Sequence, residues 1–282
     1  MARKGIVAKV IGLLYGLVKW LFLTVFKGLK WVAKLVWAAA LSLAAWLGNR
    51  VFIASRKAAE AAAPKPVNLP LAEVKAFEGS VQAFEKWLYS SKSTVGIILG
   101  ARGAGKSGLG MYLLENWAIR GRKTYAIGFQ DAGLPAWVRC VNDVDEVPNN
   151  SVLLVDEGGI LFNSREAMSD ANKFLSKLLF VARHKDLCVV FISQNSANLE
   201  VNTIRQADYL LLKRPSLLQK DFERSKIKEI YDAVSKDFKE LAPYKGLVYV
   251  YSDKFRGFAS NFLPSFWSDR ASKAFGKTTL KK

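Results

Sequence analysis

Residues 93–107 read STVGIILGARGAGKS, and this stretch decides the fold. Its first half is a short apolar run rich in β-branched residues, which predicts a buried strand over 93–100. Two further glycines, a lysine and a serine follow, and KSGLGMYLLENWAIRG then predicts a helix that ends at Gly121. A glycine-rich turn between a strand and a helix directs backbone amides and the helix N-terminus at one point, which favours phosphate binding.

The turn fits the pattern GxxxxGK[ST] of a P-loop at every position. Its residues are Gly100, Ala101, Arg102, Gly103, Ala104, Gly105, Lys106 and Ser107, with Gly108 next in the chain. In this pattern the backbone amides surround the phosphates, the lysine reaches the β- and γ-phosphates, and the serine hydroxyl ligates Mg²⁺. The sequence therefore predicts that ATP binds along Gly100–Gly108, with Lys106 also catalytic and Ser107 a metal ligand.

A second predicted strand ends in two acids. SVLLVDEGG, residues 151–159, places Asp156 and Glu157 directly after four apolar residues. This is typical of a Walker B strand, in which Asp156 holds Mg²⁺ through water and Glu157 orients or deprotonates the attacking water. The alternative is a strand that simply ends in two solvated acids.

A third predicted strand, LCVVFISQNS at 187–196, turns abruptly polar at its carboxyl end, where open α/β sheets meet their ligands. Gln194 is the candidate that senses the γ-phosphate or positions water, with Ser193 and Asn195 as the other choices. An ordinary strand-to-loop transition would produce the same pattern.

The remaining chain predicts an α/β fold. Further strands are expected at 123–129, 207–214 and 246–253, and helices at 169–185 and 217–240. Such alternation indicates a mostly parallel sheet with helices on both faces, here a P-loop NTPase of the additional-strand type. We expect a linker at 57–72, the ATPase domain at 73–262 and a basic tail at 263–282. With two cysteines and one histidine, the chain has no zinc or redox framework.

The first 56 residues differ sharply in composition from the rest. They hold nine Lys or Arg and no Asp or Glu, which is half of the formal net charge of +18, and four tryptophans. The apolar region is too long for a signal peptide. We predict a membrane-associated helical segment that contacts an anionic leaflet, with the ATPase domain on the cytoplasmic side of a host inner membrane or a virion membrane.

The mode of membrane attachment follows from the lysine spacing. At 100° per residue, Lys9, Lys19, Lys27 and Lys30 fall within about 80° of one another on a helix. This favours an amphipathic interfacial helix over roughly 4–33, followed by a short inserted or spanning helix over 34–50. Spanning and interfacial attachment both stay open.

One region resembles known families. LLVDEGGILFNSR and ARHKDLCVVFISQNSANLEVNTIRQADYLLLKR are similar to the Zot-like ATPases of filamentous-phage assembly and to the wider FtsK/HerA group, which includes viral genome-packaging ATPases. The resemblance covers residues 95–215. Zot-like proteins usually carry their membrane segment after the ATPase domain, whereas this chain has it in front, so packaging and extrusion both stay open.

The resemblance also implies an assembly and a partner. It implies a homo-oligomeric ring in which an arginine acts across the interface, and Arg183, Arg205 and then Arg165 are the candidates. DNA is the implied polyanion, and phage or virus coat proteins are possible partners. Basic segments at 213–228 and from 251 onward fit phosphate contact and base stacking, or equally a solvated helix face and a packed tail.

The function predicted from these features is a membrane-associated, Mg²⁺-dependent ATPase motor. It would drive nucleic-acid translocation or virion assembly in a phage or virus. One alternative is a membrane-anchored assembly scaffold that ATP switches and that does not move nucleic acid. Another is a membrane-active peptide fused to a nucleotide-binding module.

Overall fold

The computed structural model describes residues 34, 37, 40–43, 46, 47, 50, 64–129, 134–156, 167–199 and 201–267. It divides the chain into a unit of Met1–Ala61 and a unit of Ala62–Lys282. The predicted residues Glu157 and Arg165, the interfacial helix at 4–33 and the tail beyond residue 267 lie outside the described residues.

The described residues of the first unit are helical and exposed, and they include Trp37 and Trp46. The Arg50 guanidinium lies 4.8 Å from the centre of the Trp46 ring. Within the described part of the chain, no helix has both the length and the apolar character needed to cross a membrane.

The second unit is built on one nine-stranded sheet. Its strands are β1 (Ala72–Gly79), β2 (Thr94–Leu99), β3 (Lys123–Ile127), β4 (Val138–Cys140), β5 (Ser151–Asp156), β6 (Cys188–Ser193), β7 (Tyr209–Leu212), β8 (Leu247–Ser252) and β9 (Phe255–Ser260). Its helices are α1 (Val81–Ser90), α2 (Lys106–Ala118), α3 (Ala167–His184), α4 (Val201–Arg205), α5 (Leu217–Asp221), α6 (Ser225–Ala233) and α7 (Ser235–Glu240).

The strand order is β1-β9-β8-β7-β2-β6-β5-β3-β4. The six strands from β7 to β4 are parallel, and β6 lies between β2 and β5, as the additional-strand prediction requires. The other three strands are antiparallel and extend the sheet beyond β7. The sheet is therefore mixed, and β2, the strand before the phosphate loop, is the fifth of its nine strands.

Helices cover both faces of the sheet, as predicted. Apolar side chains of α1 and α2, such as Phe84 and Leu113, are buried on one face. Side chains of α3, α6 and α7, such as Leu178 and Phe238, are buried on the other. Because both faces are covered, the central strands are apolar runs without alternation, and β2 and β6 are buried at every position.

The predicted helix over 217–240 is wrong in one respect, since the structure breaks it into α5, α6 and α7. The first break is at Arg224, whose backbone is extended, with φ −60° and ψ 145°. Its backbone amide donates to Ser196 Oγ at 3.0 Å and its guanidinium to the carbonyl oxygens of Ser196, at 3.0 Å, and Leu199. These contacts with a distant loop hold Arg224 out of the helical conformation.

A P-loop edge that gathers the predicted nucleotide residues

The loop after β2 has the backbone that its glycines predict. Gly103 and Gly105 have φ of +78° and +87°, in the left-handed region that favours glycine. The amide of Ala104 donates to the Ala101 carbonyl at 3.1 Å, which closes a tight turn. Helix α2 begins directly after Gly105, and the first amides of a helix have no intrahelical acceptor. The loop therefore presents amides and the positive end of a helix dipole at one edge of the sheet.

Lys106 is held inside this loop. Its side chain is buried, and its ammonium donates to the carbonyl oxygens of Gly100 at 2.7 Å and Ala101 at 2.9 Å. The amide of Ala101 in turn donates to the Arg214 carbonyl at 3.2 Å, so the start of the loop is fixed to the chain that leaves β7. A phosphate bound by the loop would meet a lysine that the loop already positions.

Asp156 lies at the same edge as the P-loop. It is the last residue of β5 and is in register with Ile192 of β6, which is itself in register with Ile98 of β2. Two strand spacings, about 10 Å, therefore separate the carboxyl ends of β2 and β5. Helix α2 bridges this gap, because Gly110 lies so close to Leu154 that a Cβ there would meet its Cδ1 at 2.7 Å.

This packing places Ser107, one turn before Gly110, on the same side of the sheet as Asp156. A hydroxyl and a carboxylate are the oxygen donors that Mg²⁺ prefers. The two predicted metal ligands are therefore oxygen donors on one side of the sheet, and their binding of Mg²⁺ stays a prediction.

Gln194 is also at this edge, because it directly follows β6 and its side chain is exposed. Its neighbours have local roles instead. The Ser193 hydroxyl donates to the Asn195 carbonyl at 2.8 Å, and the Asn195 side chain accepts from the Ala197 amide at 2.8 Å as the cap of a short 3₁₀ turn. Of the three polar candidates, Gln194 is thus the one that these turn contacts leave directed toward solvent.

Two candidate arginines lie at the opposite edge. Arg183 is in the last turn of α3, which leads into the start of β6, and Arg205 ends α4, before the start of β7. Since β2, β6 and β7 are parallel, both arginines are separated from the P-loop of their own chain by the length of β2, roughly 17 Å. Their role across a subunit interface stays a prediction.

The opposite edge carries a cavity of its own. It has a volume of about 830 Å³ and is lined by side chains that include Trp87, Arg205, Ile227 and Lys254. Among the described residues of this lining, no P-loop residue and no Walker B acid occurs. The predicted nucleotide residues that the structure describes therefore lie away from this cavity.

Sequence reasoning placed Lys213 and Arg214 in a basic segment for nucleic-acid contact and missed that both support the P-loop. Lys213 follows β7 and its Cβ would clash, at 2.6 Å, with any Cβ at Gly100, so the first P-loop glycine is needed for this close approach. Arg214 is exposed beside the loop. The sequence feature that could have revealed Lys213 is its position directly after the apolar run YLLL. This run forms a strand that pairs with β2, and Lys213 follows its carboxyl end.

The helix that starts at the P-loop also holds the described segments that precede and follow the sheet. The Glu115 carboxylate is fully buried and accepts from the amides of Val67 at 3.1 Å and Ser265 at 2.8 Å, and from the Ser265 hydroxyl. The Leu69 amide donates to the Asn116 side chain at 3.2 Å. Segments that precede β1 and follow β9 are therefore tied to α2.

Comparison with known proteins gives similarity only at the level of solved structures. Neither a protein-family model nor a curated protein matches this chain. The genome packaging NTPase B204 from Sulfolobus turreted icosahedral virus 2, in complex with ATP-gammaS, is 16% identical over 58% of this chain and 97% of that chain, with a TM-score of 0.41.

Two further structures are similar to the same degree. The pCW3 conjugation coupling protein TcpA, in its monomer form with ATPgS, is 15% identical over 66% of this chain and 65% of that chain, with a TM-score of 0.44. EssC (ATPases 2 and 3) from Geobacillus thermodenitrificans is 13% identical over 76% of this chain and 49% of that chain, with a TM-score of 0.42. Likeness at these TM-scores establishes neither the fold nor the activity of this chain.

Proposed function

We propose that this protein is a membrane-associated, Mg²⁺-dependent ATPase that moves nucleic acid during phage or virus assembly. The observation that carries the ATPase part is the juxtaposition of the P-loop, Asp156 and Gln194 at one edge of a sheet in which β6 separates β2 from β5. These groups are the ones that phosphoryl transfer to water requires, and they come from three separate parts of the chain.

The chain's own residues divide the chemistry among them. Loop amides and the N-terminus of α2 bind the phosphates, and Lys106 stabilises charge on the β- and γ-phosphates. Ser107 and Asp156 would hold Mg²⁺, which supplies charge neutralisation when bound. Gln194 orients the attacking water, and Glu157 accepts its proton as the water oxygen bonds to the γ-phosphorus. The bond from the γ-phosphorus to the β,γ-bridging oxygen breaks, and ADP leaves. The rate enhancement comes from positioning and charge stabilisation.

An exposed apolar group beside the P-loop supports the proposal of a ring. Leu217 is 87% exposed, Leu218 73% and Phe222 70%, and all three lie on or beside α5, which follows Arg214. Surface groups of this kind mark protein contacts. A head-to-tail ring would seat this surface on the opposite edge of a neighbour, where Arg183 lies.

The ring proposal has a direct test. Leu217→Asp should lower the apparent mass in light scattering without lowering the melting temperature, because the side chain is solvated in one chain. Mixing Lys106→Ala chains with Arg183→Ala chains should restore part of the ATPase activity if the arginine acts across the interface. No recovery on mixing would remove Arg183 from the mechanism.

Nucleic-acid binding by the 213–228 segment is less well supported than its composition suggests. Lys226 pairs with Glu229 at 2.6 Å, Lys228 pairs with Asp221 at 3.4 Å, and Lys220 pairs with Asp232. These exposed pairs are weak, so phosphate could replace the carboxylates. This internal pairing is the observation that keeps the alternative function, an ATP-switched assembly scaffold, under consideration.

Membrane attachment and the assembly role rest on the sequence. Trp37, Leu41 and Leu43 are exposed on helical backbone, which fits contact with lipid. We place the ATPase unit on the cytoplasmic side of a host inner membrane or a virion membrane, with coat proteins as partners in packaging or in Zot-like extrusion.

The deciding experiment is ATP hydrolysis by the full chain on anionic vesicles, with and without single- or double-stranded DNA. The proposal expects DNA to stimulate turnover, Lys106→Ala to abolish nucleotide binding, and Glu157→Gln to keep binding while stopping hydrolysis. Hydrolysis that DNA leaves unchanged, together with binding to a coat protein, would favour the scaffold. Absence of ATP binding by the wild-type chain would refute both.

A further inference from the structure

Lys213 is a buried cation directly behind the P-loop. Only 2% of the residue is exposed, and its backbone amide donates to the Leu99 carbonyl at 2.7 Å, which extends the pairing of β7 with β2. Its backbone packs against Gly100, where any Cβ would lie 3.2 Å from the Lys213 Cα. The position of the first P-loop residue is therefore set by Lys213.

The side chain of Lys213 is anchored by neutral oxygens. Its ammonium donates to the Gly246 carbonyl at 2.8 Å and to Asn261 Oδ1 at 2.7 Å. Asn261 is itself fixed, since its backbone N–H donates to the Gly246 carbonyl at 3.2 Å. Lys213 thus joins the P-loop to the turn before β8 and to the chain after β9.

Among the described residues, both hydrogen bonds of the ammonium go to neutral oxygens and neither goes to an acid. The ionisable side chains nearest in sequence to Lys213 and to Gly246 are Arg214 and Lys245, and both are exposed. From α6, the Tyr231 hydroxyl donates to the Lys213 carbonyl at 3.2 Å.

Burial raises the pKa of the Tyr231 hydroxyl well above its usual value, so this group stays neutral. The charge of Glu223 also raises the pKa of Tyr231, and Glu223 accepts from the Ser196 amide at 2.8 Å and from the Gln219 side chain at 2.8 Å. Glu223 is therefore occupied by donors other than the Lys213 ammonium.

Burial lowers the pKa of the Lys213 ammonium to about 7, and the part of the chain that the structure describes gives it no carboxylate partner. A charge kept in such a place is costly, and groups of this kind cluster at functional sites. The ammonium of a lysine lies within about 6 Å of its own Cβ, which places this one within roughly 10 Å of Gly100. A triphosphate bound at the P-loop would bring negative charge to the neighbourhood of this ammonium.

We propose that Lys213 is a positioning residue of the nucleotide site, which fixes Gly100 and Ala101 from behind the loop and supplies a buried positive charge to the bound phosphates. This inference rests on the proposed nucleotide binding. It predicts that binding of a polyphosphate favours the protonated ammonium, so that affinity falls as the pH rises through the range in which Lys213 loses its proton.

The test measures the affinity of the full chain for MgATP, MgADP and AMP by calorimetry between pH 6.5 and 8.5. A shift of one pKa unit on binding corresponds to about tenfold in affinity across this range. We expect wild type to lose about tenfold more MgATP affinity over this range than Lys213→Met. At pH 6.5 the variant should lose affinity most for MgATP, less for MgADP and least for AMP.

The control is Lys245→Met, which removes the same charge from an exposed side chain next to Gly246 and should leave the wild-type profile unchanged. A purely structural role for Lys213 would lower the affinity for all three nucleotides equally and leave the pH profile as in wild type. That result would overturn the inference while the nucleotide site stands.

Two other outcomes are also decisive. If Lys213→Met does not fold, the wild-type profile decides, and equal pH dependence for MgATP and AMP would overturn the inference. A wild-type chain that binds none of the nucleotides would instead refute the proposed function.

Discussion

The burial of Lys213 also predicts how the free energy of unfolding depends on pH when no nucleotide is bound. In the unfolded chain its pKa has the ordinary value of 10.5, and in the folded unit burial lowers the pKa to about 7. Between these values the unfolded state binds one proton more than the folded state, so the free energy of unfolding rises with pH. Below pH 7 the ammonium is charged in both states, so the folded state bears the full free-energy cost of burying the charge. Above pH 10.5 the amine is neutral in both states, and this cost is absent.

The size of the effect follows from the two pKa values. A difference of about 3.5 pKa units corresponds to roughly 5 kcal/mol in total, of which about 3 kcal/mol is recovered between pH 7 and pH 9.5. Lys213→Met has no proton to lose and should show none of this gain. Buried tyrosines begin to matter only above about pH 10, because their raised pKa values make the folded state lose stability there.

The assay is equilibrium urea unfolding of the Ala62–Lys282 unit at half-unit steps from pH 7 to 9.5. The quantity of interest is the difference in pH slope between wild type and Lys213→Met, with exposed Lys245→Met as the control that keeps the wild-type slope. Equal slopes in wild type and Lys213→Met would mean that the buried ammonium keeps its proton, and the reasoning about its environment would be refuted.

Two further predictions concern packing around the P-loop helix and strand. Glu115→Gln places an amide donor against the donors of the segments before β1 and after β9, so we expect the free energy of urea unfolding to fall by about 1–3 kcal/mol. The control is Glu78→Gln, in an exposed ion pair, which should cost less than about 0.5 kcal/mol. Equal effects would show that the buried carboxylate does not hold these segments. Gly96→Ala should destabilise the fold by about 1–3 kcal/mol, because its Cβ would lie 2.1 Å from the Tyr209 ring. The control is Gly108→Ala, which should be tolerated because its Cβ would lie 3.6 Å from Leu263. An unchanged stability of Gly96→Ala would contradict the close packing of β2 on β7.

Pairing of the outer strands could not be read from the sequence. Strand β1 is exposed at most positions and rich in charge, which is the composition of an edge strand rather than of a core strand. It pairs with β9, more than 180 residues away at Ala72 and Ser260, with two register shifts. Neither strand has an apolar pattern strong enough to reveal a partner so distant in the chain.

The sequence by itself determined the P-loop, the buried parallel strands and the polar groups at their carboxyl ends. These depend on local properties: positive φ at Gly103 and Gly105, continuous apolar runs, and the rule that parallel strands end at one edge. Only the tertiary structure decided where the 217–240 helix breaks, how β1 pairs with β9, and that Lys213 is buried with no acid partner among the described residues. Those features arise from contacts between segments far apart in the chain, and a residue's own neighbours in sequence carry no record of them.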